Sequence, residues 1–225
     1  MTVNWNEIEA KWQKQWHEAG IFQANPDPSR PKFFLTVAYP YPNSPQHIGH
    51  GRTYTLADAH ARYKRMLGFN VLFPMGFHYT GTPIVAMAKR LAEGDAALVR
   101  TFTDMYKVPV HHLGSFTEPL NIARYFHEEI RRGMQKIGYS IDFRREFTTV
   151  DDAYRRFIEW QFHTLHGKGY VSQGSHPVGW CPRCGNPVGQ HDTRDDVEPE
   201  IEEYTLIKFT ADGYILPTGT LRPET

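Results

Sequence analysis

Tyr39-Pro-Tyr-Pro-Asn-Ser-Pro-Gln-His-Ile-Gly-His-Gly51 separates two segments of opposite character. Before it, Phe33-Phe-Leu-Thr-Val-Ala38 reads as a short apolar strand; after it, a helix runs from about Ile48 to Leu67. A stiff proline turn thus leads from strand to helix and presents His47 and His50 in the first helical turn. That end of a helix carries roughly half a positive charge and unpaired N–H groups. It suits a polyphosphate. Gly49 removes a side chain between the two histidines, so that a ligand can come close to the backbone. A plainer reading stands beside this one: two polar residues capping a helix, in a chain with 12 histidines.

Beyond the helix, Asn70-Val-Leu-Phe-Pro-Met75 reads as a second strand. Two strands joined by a helix make a βαβ crossover and therefore a parallel sheet. Gly76-Phe-His-Tyr-Thr-Gly-Thr-Pro83 forms a second loop into a helix over 83–93. Both loops leave the carboxyl ends of strands, where open parallel sheets bind ligands. Upstream, 5–19 reads as a helix, with Ile8, Trp12 and Trp16 on one face, Gly20 as the stop, and Asn4 and Glu7 at capping-box spacing. Asn25-Pro-Asp-Pro-Ser-Arg-Pro31 is a linker. Residues 95–118 read as irregular or short-helical, followed by helices near 119–137 and 151–167, the second capped by Asp151. From Tyr170 glycine, proline and cysteine rise and strands replace helices; Asp212-Gly213 between Tyr204–Phe209 and Tyr214–Leu216 signals a hairpin.

Forty per cent hydrophobic residues in 225 allow a real core. Twenty-five basic residues balance 25 acidic ones, which argues against a broadly basic nucleic-acid binder and leaves any nucleic-acid contact local or in a part outside this sequence. The N-terminus lacks the basic and apolar regions of a signal peptide, and no apolar run approaches the ~20 residues that span a bilayer. The expectation is a cytoplasmic protein without a membrane partner. Two cysteines exclude a secreted disulfide framework. They stand as Cys181-Pro-Arg-Cys184, a spacing that suits two thiolate ligands of tetrahedral zinc, or a tight turn with two reduced thiols.

Four blocks in order carry a family resemblance: Ala38 through the two histidines, Gly51 through Pro83, Phe157-Ile-Glu-Trp-Gln-Phe162, and Thr220-Leu-Arg-Pro-Glu-Thr225. Together they resemble the leucyl-tRNA synthetases of the archaeal and eukaryotic cytosolic type, which are class I aminoacyl-tRNA synthetases. The resemblance implies an α/β fold: the first half of a Rossmann-type (HUP-like) parallel-sheet domain, a zinc-knuckle region and the first β strands of an editing insertion. It implies three parts: 1–169 for the N-terminal helix and catalytic half-domain, 170–200 for the zinc-knuckle region, and 201–225 for the start of the editing domain. The expected molecule is the N-terminal portion of such an enzyme, inactive alone because the second half, with its Lys-Met-Ser-Lys-Ser loop, lies outside it.

The implied reaction joins leucine to ATP, held with Mg2+, and passes the leucyl group to tRNA(Leu). In it His47 and His50 face the phosphates, and Gly49 lies under the adenine or ribose. Tyr39 and Tyr41 wall the amino-acid pocket, unless they are surface tyrosines of a proline-rich loop. His78 stands where bacterial members carry Asp, so it faces substrate without supplying a negative charge for the ammonium. Cys181 and Cys184 hold zinc with ligands from elsewhere in the enzyme; His191 reads as a third ligand or, better, as part of the family's Gly-x-His-Asp turn. Arg222 and Thr225 belong to the editing entrance, or to a polar turn after a hairpin. The rivals are isoleucyl or valyl synthetases, expected to carry Asp at position 78, a small nucleotidyltransferase, and a non-catalytic synthetase-like binding module.

Overall fold

Every second residue from Val71 to Phe77 is buried: Val71, Phe73, Met75 and Phe77 are each at most 3% exposed. A period of two is that of an extended chain with one face in the core, and this segment is the axis of the fold. The computed structural model describes residues 3–182, 185–189 and 203–224. They fall into two compact units, Met1–Val171 and Ser172–Thr225.

In the larger unit α1 (Trp5–Glu18) leads through the proline linker to β1 (Lys32–Phe34), and α2 (Ile48–Met66) joins β1 to β2 (Asn70–Leu72). The chain passes through Pro74 into β3 (Gly76–Phe77). Next come α3 (Thr82–Ala92), α4 (Ala96–Arg100), a π-helical turn (Thr101–Met105), α5 (Val110–Leu113) and a 3-10 turn. Then come α6 (Pro119–Ile137), β4 (Phe147–Thr148) and α7 (Asp152–Gly167).

The βαβ crossover is present: β1 runs parallel to β2 with Phe33 opposite Val71. The strands are shorter than expected. β1 stops at Phe34, and only the Leu35 amide, 3.0 Å from the Leu72 carbonyl, prolongs the ladder. The 70–75 strand splits because Pro74 has no N–H to donate. β3 resumes it on the other side, parallel to β4 with Gly76 opposite Phe147. Residues 70–77 are thus flanked by a parallel neighbour on each side. The sequence reading has no strand near 147, because Arg144, Arg145 and Glu146 interrupt any apolar alternation there.

Tyr54 and Ala61 of α2 and Ile130 and Met134 of α6 close over the buried face. Each fully buried phenylalanine there contributes about 1.5–3 kcal/mol. A second cluster packs Ile84 and Leu91 of α3 against Phe102, Phe116 and Phe126. The opposite side of β1 is bare: Phe34 is 62% exposed. α7 buries no residue, and Phe157, Trp160 and Phe162 are exposed.

Buried polar contacts lash α2 to the loop after α6. Asp58 accepts from the Ser140 amide at 2.6 Å and from Arg62 Nε at 2.7 Å. Arg62 and Arg65 then donate to the Gly138 and Ser140 carbonyls at 2.6 and 2.9 Å. One capping expectation fails. Asp151 sits at the start of α7 without capping it, since its carboxylate accepts from Thr148 N at 2.8 Å and Thr148 Oγ1 at 2.6 Å.

Among its described residues the smaller unit holds two hairpins. β5 (Gly179–Cys181) pairs antiparallel with β6 (Asn186–Val188), and β7 (Thr205–Ala211) with β8 (Tyr214–Thr220). Asp212 (φ 50°) and Gly213 (φ 79°) turn the second hairpin. Two successive positive φ values mark the turn whose twist matches its strands. Both strands run longer than the sequence suggests. No helix among the described residues is long and apolar enough to cross a membrane.

Candidate active site

The turn into α2 places both histidines in the helix cap and leaves one nitrogen of each ring outside it. His47 is the N-cap, and its Nδ1 accepts from the Gly49 amide at 3.0 Å. His50 reaches back so that its Nδ1 accepts from the His47 amide at 3.3 Å. The histidines therefore form a reciprocal capping box, a task usually given to Ser or Thr with Glu or Gln. A ring nitrogen that accepts carries no proton, so in each neutral imidazole the hydrogen sits on Nε2. The cap consumes the Nδ1 lone pairs and leaves two Nε2–H donors at the positive end of a 19-residue helix. The two ring centroids are 4.1 Å apart.

Gly49 has a local reason as well. A Cβ there would lie 2.8 Å from His47 Cε1 and 2.9 Å from Nδ1, so any side chain drives His47 off the cap.

His50 lines a cleft of about 290 Å3 with Tyr39, Tyr41, Asn43 and Tyr54. Tyr54 donates from its hydroxyl to the Ala38 carbonyl at 3.3 Å, tying the helix to the end of the strand segment. Burial, with Tyr139 nearby, pushes the Tyr54 phenol up to about 12, so it remains a donor at neutral pH. A larger hollow of about 360 Å3, lined by Trp16, Phe22, Tyr139 and Phe143, holds none of the motif residues.

The loop after β3 forms the adjoining wall. His78 donates its amide to the Pro40 carbonyl at 2.9 Å and lays its ring against Tyr41, centroids 4.2 Å apart. Tyr39 meets Phe147 edge-on at 5.3 Å. Gly76 lies between these rings: a Cβ would come within 3.0 Å of both Tyr39 and Phe147. Tyr39, Tyr41, His50 and His78 are thus gathered at one end of the sheet. Thr149 and Phe147 were missed by sequence reasoning. The Thr149 hydroxyl accepts from the amides of Tyr79 and Thr80 at 3.0 and 3.2 Å. It comes from 70 residues further on, and no local pattern points to it.

Burial, and secondarily the neighbouring His47, lowers the His50 pKa below 6.5. Burial lowers that of His78. Both rings are therefore neutral at pH 7. The sign follows: a depressed imidazole contributes stability that is whole above 6.5 and lost as pH falls through the folded value. A bound polyphosphate acts oppositely and draws a proton on. The His50 ring resonance should accordingly titrate below 6.5 in the chain alone and at higher pH with tripolyphosphate. An unchanged titration would show that the turn does not bind the anion.

The remaining sequence candidates lie in the smaller unit. Cys181 ends β5 and is half-buried, and its carbonyl accepts from the Gly185 amide at 2.8 Å, closing the turn. Cys184 and His191 lie outside the described residues. Among the described residues no group of three His, Cys, Asp or Glu side chains is placed to hold a metal. The Arg222 amide donates to Thr220 Oγ1 at 3.0 Å in the turn after β8; Thr225 lies outside the described residues.

Comparison with known proteins adds an independent line. The family described as tRNA synthetases class I (I, L, M and V) matches residues 11–211. The chain is 57% identical over 220 residues to leucine--tRNA ligase 2 of Saccharolobus solfataricus, covering 98% of this chain and 23% of that protein. It is 58% identical over 218 residues to leucine--tRNA ligase 2 of Sulfurisphaera tokodaii, again 23% of its length. The crystal structure of the ternary complex of Agrobacterium radiobacter K84 agnB2 LeuRS, tRNA and LeuAMS superposes with TM-score 0.60 at 26% identity, covering 80% of this chain and 20% of that one. The chain thus spans less than a quarter of the length of these ligases.

Proposed function

The chain belongs to the class I tRNA synthetases of the isoleucine, leucine, methionine and valine group, and from that premise we propose that it supplies the first half of a leucine-activating catalytic domain. The observation that carries this reading is the histidine cap, with an Nε2–H donor of each ring left over and His50 lining a cleft walled by tyrosines. In the reaction, a leucine carboxylate oxygen attacks the α-phosphorus of Mg2+-bound ATP. A bond to phosphorus forms, the bond to the bridging oxygen breaks, and pyrophosphate leaves. Negative charge grows on the phosphoryl oxygens during this step. His47 and His50 would donate to them from fixed positions, at no cost in reorganisation. Gly49 would let the nucleotide lie close to the backbone. Tyr39, Tyr41 and His78 would bound the aliphatic side chain. The imidazole of His78 offers no charge to the ammonium, which needs a carboxylate or carbonyls from elsewhere. The leucyl group would then pass to tRNA(Leu).

Leucine is favoured over isoleucine or valine by the identity of the relatives, leucine--tRNA ligases at 57% and 58%. An enzyme of this kind is proposed to work in the cytoplasm. We divide the chain into a catalytic part over 1–169, a zinc-knuckle region over 170–200 and the start of an editing domain over 201–225. Arg222 and Thr225 would stand at the editing entrance.

The test is a chimera in which this chain replaces the matching residues of the Saccharolobus solfataricus ligase. Leucine-dependent exchange of pyrophosphate into ATP is the expected result, and exchange dependent on isoleucine or valine would overturn the leucine assignment. The 225-residue chain alone should show no exchange. A doubly wound domain binds nucleotide between its two halves, and one half leaves the triphosphate without its second wall.

Zinc is proposed to bind through Cys181 and Cys184, with two ligands from the rest of the enzyme. Two thiolates are half of a tetrahedral site. The chimera should carry one zinc per molecule, lost in Cys181→Ser, whereas the chain alone should lose zinc on dialysis. Equimolar zinc retained by the chain alone would show a site closed locally.

A further inference from the structure

Behind the loop that carries His78 lies a polar chain that the catalytic scheme leaves unused. Tyr79 Oη is 2.8 Å from His127 Nδ1. His127 is 8% exposed, and its ring is stacked on Phe77 with centroids 3.6 Å apart. Its Nε2 faces Glu146 Oε1 at 3.2 Å, and Glu146 Oε2 faces Arg131 Nε at 3.1 Å. These last two are contacts at ion-pair distance, off the line of an aligned hydrogen bond. Burial pushes the Tyr79 phenol up to about 12, so it keeps its hydrogen. That hydrogen needs an acceptor, and Nδ1 is the one in reach. The imidazole proton then sits on Nε2, facing the carboxylate.

The chain ends where both substrate loops meet. Glu146 directly precedes Phe147, whose ring touches Tyr39 and closes over Gly76. Tyr79 directly follows His78, whose ring supports Tyr41. From Tyr79 the loop is also held at its backbone by Thr149. A tyrosine fixed by a buried histidine that has a carboxylate at its other nitrogen is more than packing demands. An apolar side chain at 127 would fill the space beside Phe77 without the cost of a buried imidazole.

We propose that His127 is a positioning residue: through Tyr79 it holds the 76–81 loop, and with it His78 and Tyr41, at the spacing that admits an aliphatic amino acid. The proposal rests on the leucine-activation reading for the identity of that ligand. The geometry of the loop is independent of it.

Three variants separate the polar role from packing. Tyr79→Phe removes only the hydroxyl. The amide of His127→Asn can place an acceptor near the position of Nδ1, while that of His127→Gln reaches the position of Nε2 instead. In the 225-residue chain, hydrogen exchange at the Tyr79 and Thr80 amides should accelerate about tenfold in Tyr79→Phe and His127→Gln. His127→Asn should stay near the parent, and the Leu35 and Asp142 amides, which donate to the Leu72 and Phe73 carbonyls of the central segment, should be unmoved in all three. Equal protection in every variant would overturn the proposal. Equal loss in Asn and Gln would overturn it too, by reducing His127 to its stacking on Phe77. In the chimera, Tyr79→Phe should raise KM for leucine about tenfold with KM for ATP unchanged, and an unmoved leucine KM would count against the proposal. A chimera that fails to activate leucine before any substitution would sink the functional reading alone, and the exchange comparison would still decide the role of His127.

Discussion

In the chimera, His50→Ala is expected to slow leucine-dependent pyrophosphate exchange by about 10²–10³-fold, with leucine affinity changed far less. The loss is large because the Nε2–H of His50 would meet charge that develops only as pyrophosphate departs. Ground-state leucine gains little from that donor, so its binding should barely register the change. His50 also accepts from the His47 amide, so removing the ring weakens the start of α2. A lost cap costs about 1 kcal/mol, too little to account for the rate. His50→Asn separates the effects: its oxygen can still accept from the amide, while nothing remains at the Nε2 position. The Asn variant should melt like the parent and remain as slow as Ala. Near-normal exchange in either variant would remove His50 from the chemistry.

Asp58→Ala should be the costliest single change to the fold outside the aromatic core, about 3 kcal/mol by urea unfolding. Its carboxylate is 12% exposed and accepts from Arg62 Nε and from the amide of fully buried Ser140. Breaking a buried pair by deleting one member costs roughly 3–5 kcal/mol when the other is stranded. The lower end applies because Arg62 is 36% exposed and can turn to water. The Ser140 amide cannot. Asp58→Asn keeps an acceptor for that amide and should cost about 1 kcal/mol. A change below 1 kcal/mol in the Ala variant would mean that water or a shifted carbonyl replaces the carboxylate.

The helices and the histidine turn were legible in the sequence because their signals are local. The 3.6-residue period, a proline turn and a glycine stop place α2 at Ile48–Met66, within one residue of the expected span. The strands were legible as a crossover but not in extent. β1 and β2 are three residues each, and Pro74 divides the central strand for lack of a donor. β4 was invisible, since two residues pairing across 71 positions leave no periodicity. The site followed the same rule. His47, His50, Tyr39, Tyr41 and His78 sit on turns with recognisable chemistry. His127, Glu146 and Thr149 look like ordinary polar residues until the chain brings them behind the second loop. That the cap engages only the Nδ1 of each ring was not legible at all. Sequence set capping against catalysis as alternatives, whereas a ring with two nitrogens can serve each with a different atom.

Imidazole has another property that the cap controls, its reactivity toward electrophiles. Acylating reagents attack a ring nitrogen that bears a free lone pair. In His47 and His50 the Nδ1 pairs are occupied by the amides of Gly49 and His47, and the Nε2 atoms carry hydrogens. Neither ring offers a nucleophilic nitrogen until the first turn of α2 frays. The speed at which these two histidines are acylated, set against that of histidines outside the cap, therefore clocks the opening of the turn itself.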